Sequence, residues 1–262
     1  MRLIHQDARD LSCLDENSVD LVVTSPPYFM QAIYLDQGQP IPDQIGHEPT
    51  PAQYLDNLMR VMVELDRVVM RDRSLLVNLG DKYCGYTNGA GKPRSIGDPS
   101  RSRPAKVPDG PRSAPSVYGF PNKSLMGLPW RFANRCVDEL GWVLRAEIVW
   151  RKSNATPERV RDRAWRVHEQ WFHFTTGDRY YHDRTLPPYP SVMERPTDTD
   201  PDHPAVFASE WPKEFIARYA PPGGVVLDPF GGRGTTAQQA EEMGREGISV
   251  DLSSDYLGLV GR

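Results

Sequence analysis

The chain predicts a doubly wound α/β fold with a mostly parallel sheet, and three observations carry that prediction. The first is an ordered run near the carboxyl end. A hydrophobic strand, Val225 to Asp228, ends in an acid and is followed by the turn Gly231-Gly232-Arg233-Gly234 and a helix start at Thr235. A second strand, Gly247 to Val250, then ends at Asp251, 23 positions after Asp228. This is the nucleoside-binding arrangement of doubly wound sheets, in which the second acid takes ribose hydroxyls. The turn is not Gly-x-Gly-x-x-Gly, which disfavours a dinucleotide. The second observation is a buried apolar run, Val19 to Thr24, stopped by Ser25-Pro26-Pro27-Tyr28. The third is the alternation of short apolar runs with amphipathic stretches along the chain.

In order, Leu3-Ile4 is a short strand with Asp7 at its end, Leu11 to Ser18 a short helix or turn, and Val19 to Thr24 the next strand. Phe29 to His47, with Gly38, Pro40, Pro42 and Gly46, reads as an irregular, mobile flap beside the site. Thr50-Pro51-Ala52-Gln53 opens a helix: Thr50 as N-cap, Pro51 at the first helical position, Gln53 reaching back in a capping box. Leu55, Leu58, Met62, Leu65 and Val69 share one face and are core. Ser74 to Leu79 is a buried strand, Leu128 to Leu140 an amphipathic helix stopped by Gly141, Trp142 to Trp150 and Trp171 to Thr175 two further strands. Thr185 to Asp202 reads as a proline-rich connector, and Glu210 to Tyr219 as a helix.

At 262 residues the chain is accommodated as a single domain over 1–262. Lys82 to Ser124 lacks periodicity and is rich in glycine, proline, serine and arginine, so 82–124 is expected to be a flexible basic insertion and a binding loop. Gly85 to Lys92 only approximates a phosphate loop: five residues separate Gly85 from Gly91, and Pro93 stands where Ser or Thr is required. Cys13, Cys84 and Cys136 are scattered, and no Cys-x-x-Cys occurs, so neither a disulfide framework nor a zinc site is indicated. His168, Glu169 and His173 do not have metal-site spacing on an extended segment, and no metal is expected. The amino terminus has no long apolar region and no run suffices for a bilayer, so the expectation is a cytoplasmic protein without membrane contact.

The net charge is −4, yet seven basic residues stand against two acidic ones from Lys92 to Lys123, and seven against three from Arg145 to Arg166. Such clusters on an acidic protein are compatible with a polyanion gripped on one face, while charge alone slightly favours solvated loop charges.

The doubled proline has its own chemistry. Each proline fixes its φ and lacks an N–H, and Pro27 forces Pro26 to be extended, so the local carbonyls are expected to point outward, unpaired. Ser25 adds an acceptor and Tyr28 a flat ring, a combination that suits a planar aromatic amine.

With Ser25-Pro26-Pro27-Tyr28 and Asp228-Pro229-Phe230-Gly231-Gly232-Arg233-Gly234-Thr235-Thr236 both present, the sequence resembles the amino-methylating DNA methyltransferases, which modify the exocyclic nitrogen of cytosine or adenine. The catalytic motif precedes the cofactor motif, as in the circularly permuted beta group. Leu76 to Asp81, Leu128 to Arg131, Ile148 to Lys152 and His203 to Phe207 look like the same group. The resemblance implies a Rossmann-like class I sheet, mostly parallel with one antiparallel strand, and S-adenosylmethionine as methyl donor. It implies a catalytic set of Ser25, Pro26, Pro27 and Tyr28. It implies cofactor contacts at Asp7 (adenine), Thr24, His203, Phe207, Asp228, Phe230, Gly231, Gly232, Gly234, Thr235 and Asp251 (ribose). Double-stranded DNA is the implied partner, and a restriction endonuclease partner and a homodimer are compatible with it.

Two departures stand out. Arg233 occupies a position usually held by a small residue, and only about twenty residues lie between Tyr181 and His203, too few for a separate target-recognition domain. DNA contact is therefore expected from Arg101, Arg103, Lys106 and Arg112 in the insertion, and from Lys152, Arg161 and Arg163 around the second basic loop. Ser25 at the first motif position favours the N4 amine of a flipped cytosine over adenine N6. A carbon-5 cytosine enzyme is disfavoured, since none of the three cysteines follows a proline. A catalytically silent nucleic-acid-binding protein with the same fold stays open at this point.

Overall fold

The computed structural model of the protein describes residues 1–84, 119–197 and 208–258. Ten strands and five helices follow one another there as β1 (Arg2–His5), β2 (Val19–Thr24), β3 (Leu35–Asp36), β4 (Gln39–Pro40), α1 (Pro51–Val68), β5 (Val69–Leu79), α2 (Leu128–Leu140), β6 (Val143–Lys152), β7 (His168–Thr175), β8 (Val192–Arg195), α3 (Glu210–Tyr219), β9 (Val225–Asp228), α4 (Thr235–Glu242), β10 (Glu246–Asp251) and α5 (Ser254–Leu257). Eight strands form one sheet in the order β1-β10-β9-β2-β5-β7-β6-β8, and β3 with β4 makes a separate hairpin. β7 runs antiparallel to both β5 and β6, while the other neighbouring strands are parallel. One antiparallel strand in a mostly parallel sheet is the predicted arrangement.

The chain leaves β9 through α4 toward β10 and leaves β2 through α1 toward β5, on opposite sides of the β9–β2 pair. The strand order therefore reverses there, and the crevice beyond the carboxyl ends of those strands is where open α/β sheets bind ligands. Asp7, Asp251, Asp228, Ser25 and Gly80 succeed one another along that edge, at or just beyond the ends of β1, β10, β9, β2 and β5 respectively. Because β7 is reversed it begins at the same edge, with His168 and Glu169, near Lys152 at the end of β6.

Both faces of the sheet are covered. Leu58, Met62 and Leu65 of α1 and Phe132 of α2 pack with Val22, Val77 and Phe174 on one face. Trp211, Phe215 and Ile216 of α3 pack with Val23, Trp150 and Trp171 on the other. Burial of these side chains, each contributing roughly 1.5–3 kcal/mol, holds the layers together. α1 is capped as its sequence predicts, with Thr50 Oγ1 accepting from Gln53 N at 3.2 Å and Pro51 at the first position. The Gln53 side chain, however, bonds the Thr50 hydroxyl (3.0 Å), not its backbone N–H. Val69, at the end of the predicted stripe, is already the first residue of β5. Gly141 closes α2 in the left-handed region (φ 71°), where glycine carries no steric cost.

Four features depart from the expectations. β8 lies inside the proline-rich connector and adds a parallel edge to β6. A hairpin, β3–β4, stands within the stretch expected to be irregular, and a short helix, α5, begins at Ser254, three residues after Asp251. The ends of the basic insertion are laced antiparallel, Cys84 N to Ser124 O and Lys123 N to Cys84 O, both 2.8 Å. Among the described residues no helix is long and apolar enough to cross a membrane.

Candidate active site

Two segments some two hundred residues apart meet at the reversal point. Thr24 Oγ1 donates to Asp228 Oδ1 at 2.6 Å, tying the end of β2 to the end of β9. Asp228 also accepts from Phe230 N (3.1 Å) and from Thr236 Oγ1 (2.9 Å) on α4. The carboxylate is buried, and burial lifts its pKa to about 6 against the three hydrogen bonds that favour the charged form. Asp228 and Thr24 thus knot the floor of the crevice together, and the carboxylate points into the protein.

The glycine turn lies directly on β10. Gly231 N donates to Val250 O (2.9 Å), and a Cβ on Gly231 would fall 1.8 Å from Ser249 Oγ, so only glycine fits. Gly232 (φ 50°) donates its N–H to Asp251 Oδ2 at 2.8 Å, and Ser253 N donates to Oδ1 at 2.8 Å. Burial pushes the Asp251 carboxyl above its ordinary range. Gly234, in the left-handed region, opens α4 with no side-chain cap, which directs the first N–H groups of the helix, from Thr235 on, at the crevice. Phe230 is half-buried at the turn. Asp7 is held by Arg9, through Nε (3.0 Å) and Nη2 (2.6 Å), and Arg9 in turn pairs with Asp43. Burial opposes the Asp7 charge, but the Arg9 contacts outweigh it and keep the pKa below the usual value.

Across the reversal point stands the proline hook. Pro27 O accepts from Tyr54 Oη of α1 (3.0 Å), so the expectation of two unpaired proline carbonyls is corrected: of the two, among the described residues, only that of Pro26 lacks a donor. Ser25 Oγ is 3.4 Å from Asn78 Oδ1 of β5. The Tyr28 ring lies against Gly80, where a Cβ would come within 2.5 Å of Cε2. Its hydroxyl sits between Asn78 Oδ1 (2.6 Å) and Glu169 Oε2 (2.8 Å). Burial first, and the Glu169 carboxylate second, push the Tyr28 pKa well above the ordinary phenol value, so the group stays a donor. Lys152 is ion-paired to the other Glu169 oxygen, its ammonium 4.8 Å above the Trp150 ring. The turn after the hook is braced by Met30 N to Gly46 O (2.6 Å) and Lys82 Nζ to Met30 O (2.8 Å).

Of the residues singled out from the sequence, Ser25, Pro26, Pro27, Tyr28, Thr24, Asp228, Phe230, Gly231, Gly232, Gly234, Thr235, Asp251 and Asp7 all lie on the one carboxyl edge. Arg161 is exposed, and Arg163 pairs with Glu158 (2.6 Å) and stacks on Tyr83 (3.6 Å). His203, Phe207, Arg101, Arg103, Lys106 and Arg112 lie outside the described residues. Sequence reasoning missed Asn78, Glu169, Gly80 and Tyr54. The signal available was a polar Asn78 and an acid, Glu169, in otherwise apolar strands, where an uncompensated polar group is costly. Among the described residues no group of three or more His, Cys, Asp or Glu could hold a metal ion.

A doubly wound sheet with a glycine turn and paired acids on one side of its reversal point, and a Ser-Pro-Pro-Tyr hook on the other, defines a Rossmann-like methyltransferase. The family described as DNA methylase, covering N6 and N4 enzymes, matches residues 19–260, and the chain belongs to it. It is 36% identical over 257 residues to the type II methyltransferase M.XycI of Xanthomonas campestris pv. cyanopsidis, covering 94% of this chain and 81% of that one. It is 33% identical over 277 residues to M.SmaI of Serratia marcescens, covering 98% and 88%. Among solved structures, the PvuII DNA methyltransferase (cytosine-N4-specific) superposes with a TM-score of 0.70 at 20% identity, over 98% of this chain and 83% of that one. A Thermus thermophilus protein described as a putative DNA modification methylase and solved with S-adenosyl-L-methionine superposes with a TM-score of 0.66 at 23% identity, over 98% and 90%.

Proposed function

We propose that this DNA methylase transfers a methyl group from S-adenosylmethionine to the N4 amine of a cytosine flipped out of duplex DNA. The observation that carries the reading is the Thr24–Asp228 bond, because it sets the glycine turn and the Ser25 hook side by side on one edge. The residues present fit the donor. The Gly231 turn leaves the backbone bare, the uncapped α4 amino terminus suits a carboxylate, and Asp251 flanks the turn where ribose hydroxyls would lie. Bound there, S-adenosylmethionine supplies an electrophilic methyl on sulfur.

This chain's own groups prepare the nucleophile. The amine lone pair of cytosine is delocalised into the ring. With Ser25 Oγ and Pro26 O accepting its two N–H bonds, the nitrogen becomes more tetrahedral and its lone pair turns out of the base plane. Tyr28 takes the base face, offsetting the few kcal/mol that extrusion from the stack costs. Charge supplied by Arg161, Arg163, Arg101, Arg103, Lys106 and Arg112 grips the phosphate backbone. Lys152 and Arg163 contribute least to that grip, because each is already ion-paired, to Glu169 and to Glu158 respectively. Ser25 at the first motif position and the cytosine-N4 label of the PvuII neighbour both favour cytosine over adenine. The type II names of the relatives suit a cytoplasmic modification enzyme with a cognate endonuclease.

Mass spectrometry of nucleosides from DNA exposed to the enzyme tests the reading. N4-methylcytosine is expected, and N6-methyladenine in its place would move the assignment to adenine. Ser25→Ala is expected to lose roughly 100-fold in kcat while S-adenosylmethionine binding, measured by calorimetry, is unchanged.

A further inference from the structure

We infer that Glu169 and Lys152 are positioning residues for methyl transfer, a charge pair that fixes the Tyr28 ring in the attitude needed to receive the flipped base. The inference rests on Tyr28 being the base platform, as proposed above.

Three neighbouring strands supply the groups around one hydroxyl, two by direct contact and the third through Glu169. Asn78 comes from β5, Glu169 from β7 and Lys152 from β6. Their relative places are set by register, which pairs Asn78 with Trp171, Leu79 with Gln170, and Trp150 with Glu169. The Asn78 amide is itself oriented, since its Nδ2 donates to Gln170 O at 3.0 Å, leaving Oδ1 toward Tyr28 and Ser25. Tyr28 has a single hydroxyl hydrogen and faces two acceptors, Asn78 Oδ1 at 2.6 Å and Glu169 Oε2 at 2.8 Å. Of the two, the carboxylate offers the charge-assisted bond, and Lys152 on its far oxygen holds it in place. Both charged side chains are largely covered, with exposures of 23% for Lys152 and 14% for Glu169, so their attraction is little screened.

A tyrosine on a turn would otherwise swing about its first side-chain torsion. Here Gly80 gives one face of the ring a flat seat and the carboxylate pins the far end. An aromatic platform fixed in advance has less ordering to lose when a base arrives, which lowers the barrier to the reactive geometry more than it strengthens binding of the donor. Neither Glu169 nor Lys152 need touch the base for this, and both act through Tyr28.

The test is a double-mutant cycle on methyl transfer to unmethylated genomic DNA, with S-adenosylmethionine binding measured in parallel to certify the fold. Glu169→Gln is expected to lower kcat roughly 10- to 100-fold, with affinity for S-adenosylmethionine within about twofold of the parent. Tyr28→Phe, which keeps the ring and removes the hydroxyl, is expected to lower kcat by a similar factor. In a Tyr28→Phe background Glu169→Gln should cost less than about twofold more, since the bond it acts through is already gone. Glu169→Asp, a shorter carboxylate, should recover part of the loss. Full multiplication of the two single effects, or a large effect of Glu169→Gln beside a negligible one of Tyr28→Phe, overturns the positioning role. The platform reading fails separately: Tyr28→Ala with kcat within about threefold of the parent would remove Tyr28 from the base site and the inference with it.

Discussion

The two halves of the carboxyl edge are made by different means. On the side of β1, β10 and β9 the site is backbone: a glycine turn laid on β10, N–H groups answered by Asp251, and a bare helix start. On the side of β2, β5, β7 and β6 it is side chains: a tyrosine seated on a glycine and pinned by groups from three strands. On the function proposed above, the backbone half would hold the methyl donor and the side-chain half the flipped base. The halves meet where β2 pairs with β9, and there the Thr24–Asp228 bond joins them by side chains.

The comparison can be broken most sharply at Gly231. Gly231→Ala drives a methyl into Ser249 Oγ and should weaken S-adenosylmethionine binding roughly 100-fold or more, about 3 kcal/mol, by calorimetry.

Acidity separates the halves next. Burial raises the Asp228 pKa from 3.8 to about 6, so the native state holds that proton more tightly than the unfolded chain. The stability it contributes is full below about pH 4 and lost as pH rises through about 6. In melts from about pH 4 to about pH 8, the stability of Asp228→Asn relative to the parent should therefore grow with pH by about 3 kcal/mol. His173, on β7 in the other half, is depressed to about 3 by burial and then by Arg145. Its contribution is full above pH 6.5 and falls as pH drops, the opposite sign. A His173→Gln variant should lose less stability than the parent between about pH 6.5 and about pH 4.

A smaller effect, about tenfold in kcat, is expected of Gly80→Ala, which displaces the Tyr28 ring without touching the glycine turn. Affinity for S-adenosylmethionine should stay within about twofold, and an equal loss in both quantities would show that the halves are not separable. Thr50→Ala, remote from both, should cost only about 1 kcal/mol of stability through its lost cap and leave kcat unchanged.

Much of this was legible in the sequence because it is local. Pro51 after Thr50, Gly141 after Leu140, and the turn from Gly231 to Gly234 announce themselves within a few residues, and the helices they bound appear where they were expected. The acids at strand ends were legible for the same reason. β8 was not, since its alternately exposed and half-buried residues form no apolar run and its strand character comes from pairing with β6. Glu169 was weighed only as a metal ligand, because nothing local says that a strand two places across the sheet brings it to Tyr28. Nor does anything near Asp228 say that its oxygens are taken up by Thr24 and Thr236. Register across a sheet is long-range information, and one sequence does not print it.

The pairing of Arg2 with Ile248 and of His5 with Asp251 has a consequence for biogenesis. β1 finds its neighbour only after every other described strand of the sheet has been made, so the sheet is completed last at that edge. A nascent polypeptide that already carries Ser25-Pro26-Pro27-Tyr28 therefore has no β10 for the glycine turn to lie on until residue 251 has been made.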